Sequence, residues 1–109
     1  MSKFCWSLVA ALGLSLVAVS AENVKVNFNT KCAGCHGKTG KGDTKMGQKL
    51  GVRDYTDAKV QAKVKDEEMF KAIKEGLKKD GKVAMKPYGD KLTEEEIKAL
   101  VVYFRALKK

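Results

Sequence analysis

Cys32-Ala33-Gly34-Cys35-His36 constrains this chain more than any other stretch, because each residue type in it has a separate chemical job. Cysteines three apart at the end of a helix lie on one face, so both thiols can reach the same edge of a flat ring. An imidazole directly after them can reach a metal at the centre of that ring. C-x-x-C-H is the attachment pattern of a c-type haem, in which two thioether bonds hold the porphyrin and the histidine is the proximal iron ligand. His36 is also the only histidine of the chain. A lone histidine is more often a packing or surface residue, and its place after the second cysteine reverses that default.

The competing readings of C-x-x-C fit less well. A zinc site needs four ligands, and Cys32, Cys35 and His36 supply three. The remaining cysteine, Cys5, stands in an apolar leader. A redox dithiol would follow a strand in a βαβ pattern, and no β-rich run precedes Cys32. A plain disulfide is the bland alternative for an exported chain. The expected cofactor is one covalently attached haem c with its iron, bound through Cys32, Cys35 and His36.

The leader gives an address. Lys3 supplies a positive start, Leu8 to Val19 is apolar apart from Gly13 and Ser15, and Val19-Ser20-Ala21 fits a small-residue cleavage site. Residues 1–21 therefore read as a signal peptide and 22–109 as one monohaem domain, periplasmic or otherwise exported. An uncleaved membrane anchor is the alternative, since Phe4 to Ala21 carries no charge. That stretch is just short of the ~20 residues that usually span a bilayer. Cys5 precedes the apolar core and reads as a spectator.

A domain this small buries a modest share of its surface and benefits from a staple. A covalent haem would be both cofactor and much of the core. The apolar periodicity predicts an all-α fold of about three to four helices. Val24, Phe28 and Cys32 recur at four-residue intervals on a first helix. Asp66 reads as a cap before Met69, Phe70, Ile73 and Leu77, with Gly76 as a stop. Thr93-Glu94-Glu95-Glu96 is a capping box ahead of Ile97, Leu100, Val101, Phe104 and Leu107. Gly37 to Gly51, where glycines alternate with lysines, reads as loop. Asp80-Gly81 reads as a turn, and Lys82 to Lys91 as irregular.

The sixth iron position decides what such a protein does. Left empty, it binds small ligands; filled by a thioether, it closes the iron and raises its potential. Three methionines follow the leader. Met69 lies on an apolar stripe and reads as core filler. Met46 is ten residues after His36 and would have to swing around the ring edge. Met85, beside Pro87, is far enough along to cross to the opposite face, with ordinary packing as the other reading of that residue.

The chain resembles a class I c-type cytochrome, a small bacterial monohaem electron carrier. The resemblance covers Phe28, the Cys32–His36 motif, Met85-Lys86-Pro87-Tyr88, and Leu92 to Ile97 leading into Leu100-Val101-Val102-Tyr103. It implies a cytochrome c fold whose first and last helices cross, with Phe28, Leu100 and Tyr103 packed at the crossing. It also implies Met85 as the second axial ligand beside His36. The implied role is shuttling single electrons between redox partners by Fe(II)/Fe(III) cycling, not enzymatic turnover. Val24 stands where many members have glycine, so a slightly wider crossing is expected. Arg53, Tyr55 and Gln61 are the polar candidates for the haem propionates. The runner-up, an open-iron haem enzyme or gas binder, calls for a distal acid–base group, and no second histidine exists to supply one.

Charge bears on partners. The net charge is +9, and Lys3 is the one charged residue within 1–21. Lys38, Lys41, Lys45 and Lys49, with Lys82, Lys86 and Lys91, could ring an exposed haem edge and steer redox partners with acidic docking surfaces. Scattered lysines are also an ordinary solvated face. The same charge suits peripheral contact with an anionic membrane surface. Nucleic acid is not expected, with Arg53 and Arg105 the only arginines and an exported address.

Overall fold

The apolar stripes become helices that meet around Phe28. A computed structural model describes residues 19–109, and the rest of the leader, with Lys3 and Cys5, lies outside the described residues. In chain order the elements are α1 (Ala21–Asn27), a turn of π-helix (Phe28–Cys32), α2 (Ala33–His36), α3 (Lys45–Leu50), α4 (Ala58–Lys63) and α5 (Asp66–Glu75). A hairpin of β1 (Leu77–Lys79) and β2 (Lys82–Met85) follows, then α6 (Glu94–Ala106). Among the described residues no helix is long and apolar enough to cross a membrane.

The two terminal helices hold the core together. Val24, Phe28 and Cys32 are all buried, as their spacing predicts, and they meet Leu100, Val101 and Phe104 of α6. The Phe28 ring lies 4.6 Å from Tyr103 and 5.3 Å from Phe104, the second pair edge-on. Edge-on aromatic pairs add to simple burial because the positive ring edge meets the negative face. Val24 is accommodated at this crossing, only 7% exposed, in the place where a glycine was the family expectation. Met69 and Ile73 bring α5 onto the same core.

α6 starts where the capping box places it. Thr93 Oγ1 accepts the Glu96 amide at 3.1 Å, and the Thr93 amide donates to Glu96 Oε1 at 2.8 Å. The backbone hydrogen bond from Thr93 holds the Glu96 carboxyl below the usual carboxylate range. Thr93→Ala is expected to cost about 1 kcal/mol and to lower the thermal midpoint by roughly 4–8 °C, measured by circular dichroism. Lys65, not Asp66, takes the cap position of α5, and its amide donates to Glu68 Oε1 at 3.1 Å.

A second network fixes α4 against α6. The buried Gln61 donates through Nε2 to the Tyr55 carbonyl at 2.6 Å and the Phe104 carbonyl at 2.8 Å. Arg105 donates to Gln61 Oε1 at 2.9 Å, to Asp66 Oδ1 at 2.7 Å and to the Val64 carbonyl. The Gln61 amide donors are thus committed to two backbone carbonyls, which removes it as a propionate candidate.

Besides the π-turn and α4, which the periodicity reading does not give, two stretches depart from it. The Lys/Gly segment expected to be loop contains α3: Thr44 caps it by accepting the Gly47 amide at 2.9 Å, and Gly51 ends it in the left-handed region. The stretch around Asp80-Gly81 is an antiparallel hairpin pairing Leu77 with Met85, Lys78 with Val83 and Lys79 with Lys82. Asp80 and Gly81 both have positive φ, 53° and 78°, the conformation a two-residue hairpin turn needs and Asp-Gly favours. The core is helical as expected, and the hairpin is an addition at its edge.

Candidate haem site

The motif sits where two helical geometries meet. The π-turn Phe28–Cys32 carries Phe28 into the core and ends on Cys32, whose amide neighbour Ala33 bonds back to the Phe28 carbonyl. Such turns are rare and recur at functional sites, because one extra residue re-aims the side chains that follow. Cys32 is buried, Cys35 is half-buried, and both are free thiols. Burial is the main cause that pushes the Cys32 thiol up to about 11.

His36 closes α2 and packs edge-on against Phe104 at 4.9 Å, with the Tyr55 ring at 5.8 Å. Its Nδ1 is buried with no hydrogen-bond partner in the protein. Burial lowers its pKa to about 4, so the ring is neutral at pH 7, the form that ligates iron. The donor set fits a covalent haem: two unpaired thiols on one turn, then a neutral imidazole held by aromatic contacts. Zinc fits poorly. Among the described residues, no group of three or more His, Cys, Asp or Glu is placed to hold a metal ion.

Close backbone packing seats the motif turn against α3. Thr44 Oγ1 donates to the Gly34 carbonyl at 2.9 Å while capping α3. A Cβ on Gly47 would collide with the Cys35 carbonyl and stand 2.6 Å from the Gly42 carbonyl. The Gly42 amide in turn donates to the His36 carbonyl at 2.8 Å. Thr44 and Gly47 therefore support the site, a role hidden in the sequence by a stretch that reads as loop.

The three methionines separate by environment. Met69 is buried in the core, as its apolar stripe predicts, and Met46 is 47% exposed. Met85 is half-buried at the end of β2, packed against the core. The segment after it is fastened to α5: the Tyr88 amide donates to the Ile73 carbonyl at 2.8 Å and the Gly89 amide to the Lys74 carbonyl at 3.0 Å. Gly76, with φ of 77°, lets the chains touch, since a Cβ there would lie 2.6 Å from the Met85 carbonyl. Arg53 is exposed, whereas Tyr55 is half-buried beside His36.

A cleft of about 480 Å³ opens between the end of α3 and the hairpin. Lys49 lines one side, and Lys79, Asp80 and Lys82 the other.

A mostly helical domain with two cysteines on one turn, an adjoining neutral imidazole, and first and last described helices packed together fits a protein built around covalent haem. The family described as cytochrome C oxidase, cbb3-type, subunit III matches residues 19–104, and the chain belongs to that family of c-type cytochrome domains. The structure is also similar to two solved ones, the KustC0563 c-type cytochrome and a tyrosine-to-phenylalanine mutant of Kustc0563. Each is 40% identical with a TM-score of 0.67, over 78% of this chain and 96% and 98% of theirs. Among curated proteins none matches. The chain is a small c-type cytochrome, which implies covalently bound haem c with iron and a role in electron transfer.

Proposed function

We propose that this protein is an exported monohaem electron carrier whose iron is closed by His36 on one side and Met85 on the other. The observation that carries the reading is the contrast between the candidate ligands' settings. His36 is neutral and held by aromatic rings, while Met85 is the methionine on a segment fastened by backbone to a separate helix. When bound, haem supplies a one-electron Fe(II)/Fe(III) couple. The residues around it keep the ligand geometry fixed, so little rearrangement accompanies a change of charge. Cys32 and Cys35 attach the ring, and Phe104 orients the imidazole.

Removal of residues 1–21 leaves the domain in the periplasm or an equivalent compartment. The lysines at the cleft, Lys49, Lys79 and Lys82, favour redox partners with acidic docking surfaces, and the overall charge suits loose contact with an anionic membrane.

Visible spectra of the haem-matured protein, with and without cyanide or carbon monoxide, test the reading. A low-spin spectrum with the far-red iron–methionine band and slow or absent ligand uptake is expected. A high-spin spectrum with fast uptake would replace the carrier with an open-iron protein.

A further inference from the structure

Tyr88 joins two parts of the site that no other hydrogen bond of its segment connects. Its amide is tied to α5, as described above, yet its side chain leaves that helix. The phenol hydroxyl donates to the Lys31 carbonyl at 3.1 Å. Lys31 is the residue before Cys32, inside the π-turn. Among the described residues this is the one hydrogen bond between the segment 85–92 and the helical stretch that carries the motif. Every other hydrogen bond of the segment stays within it or runs to α5 and the hairpin. The consequence is mechanical. The backbone bonds hold the segment to α5, and the Tyr88 hydroxyl is its one hydrogen bond to the turn that ends on Cys32.

We propose that Tyr88 is a positioning residue for Met85, its hydroxyl strapping the methionine segment to the haem-attachment turn and holding the two sides of the site at one separation. The inference rests on the reading of Met85 as the sixth ligand. The hydroxyl itself meets the Lys31 carbonyl and takes no part in ligation. Without the bond, the methionine segment parts from the attachment turn more often, while α5 stays in the core through Met69 and Ile73. Each such opening exposes the iron to an outside ligand, whose apparent affinity scales with the open fraction. A single neutral hydrogen bond corresponds to a change in that fraction of roughly three- to tenfold.

Tyr88→Phe keeps the ring and removes the hydroxyl. The test is imidazole binding to the oxidised holoprotein, followed by loss of the far-red band. The variant is expected to retain that band without imidazole and to bind imidazole roughly three- to tenfold more tightly than the wild type. Asp57→Ala serves as the comparison, because Asp57 caps α4 by accepting the Lys59 amide at 2.8 Å and does not touch the methionine segment. It should lower thermal stability without changing imidazole affinity. Unchanged affinity in Tyr88→Phe, or an equal gain in Asp57→Ala, overturns the strap while leaving Met85 as ligand. A wild-type protein without the far-red band overturns the ligand reading, and the strap with it.

Discussion

Met85→Ala is expected to convert a closed iron into an open one. The far-red band should vanish, the oxidised protein should turn high-spin or bind water, and cyanide and carbon monoxide should bind quickly. The reduction potential should fall by roughly 0.1–0.3 V, well within the ~0.8 V that axial ligands command. The sign follows from ligand chemistry, since a thioether favours the reduced iron and raises the potential. The fold should survive. The segment's attachment to Ile73 and Lys74 is through backbone, and the Met85 side chain is half-buried and outside the buried core. Spectroelectrochemistry on wild type and variant decides the matter. An unchanged spectrum and potential would remove Met85 from the ligand set.

Phe28→Ala is expected to have the largest effect on stability of any single substitution in the core. Phe28 is fully buried and touches both Tyr103 and Phe104. Truncating such a residue costs about 3–5 kcal/mol from lost burial and the cavity left behind. Domains of this size hold about 5–15 kcal/mol in all. A fall in thermal midpoint of roughly 12–40 °C follows, checked by thermal melts of the haem-loaded protein. The site should feel the loss too, because Phe104 packs on Phe28 at one side and on His36 at the other. A variant melting within a few degrees of wild type would show that the two end helices are held by something other than this contact.

The parts of the fold legible in the sequence are those where one physical signal acts alone. The four-residue spacing of Val24, Phe28 and Cys32 puts them on one buried stripe, and Thr93 with Glu96 has the chemistry of a reciprocal cap. The motif announced its own cofactor. What escaped was decided by contacts distant in sequence or by elements that bury little. α3 is short and centred on Gly47, so it has no apolar stripe to read. Its reason to exist is the close approach of Gly47 to the Cys35 carbonyl. The hairpin exposes most of both strands, so burial imposes no alternation, and its one local sign was Asp80-Gly81. The π-turn has no local signature at all. Gln61 looked available for a ligand because its partners, Tyr55, Phe104 and Arg105, are set by how α4 meets α6.

The contact between Phe28 and the pair Tyr103–Phe104 joins positions near the two ends of the described chain. A polypeptide emerging from the ribosome or a secretion channel N-terminus first therefore displays Cys32, Cys35 and His36 long before their cover has been made. Until α6 arrives, Phe28 lacks its aromatic partners and the imidazole lacks Phe104. Pairings this remote are slow to form. The order of synthesis thus separates the appearance of the C-x-x-C-H motif from the completion of the core around it.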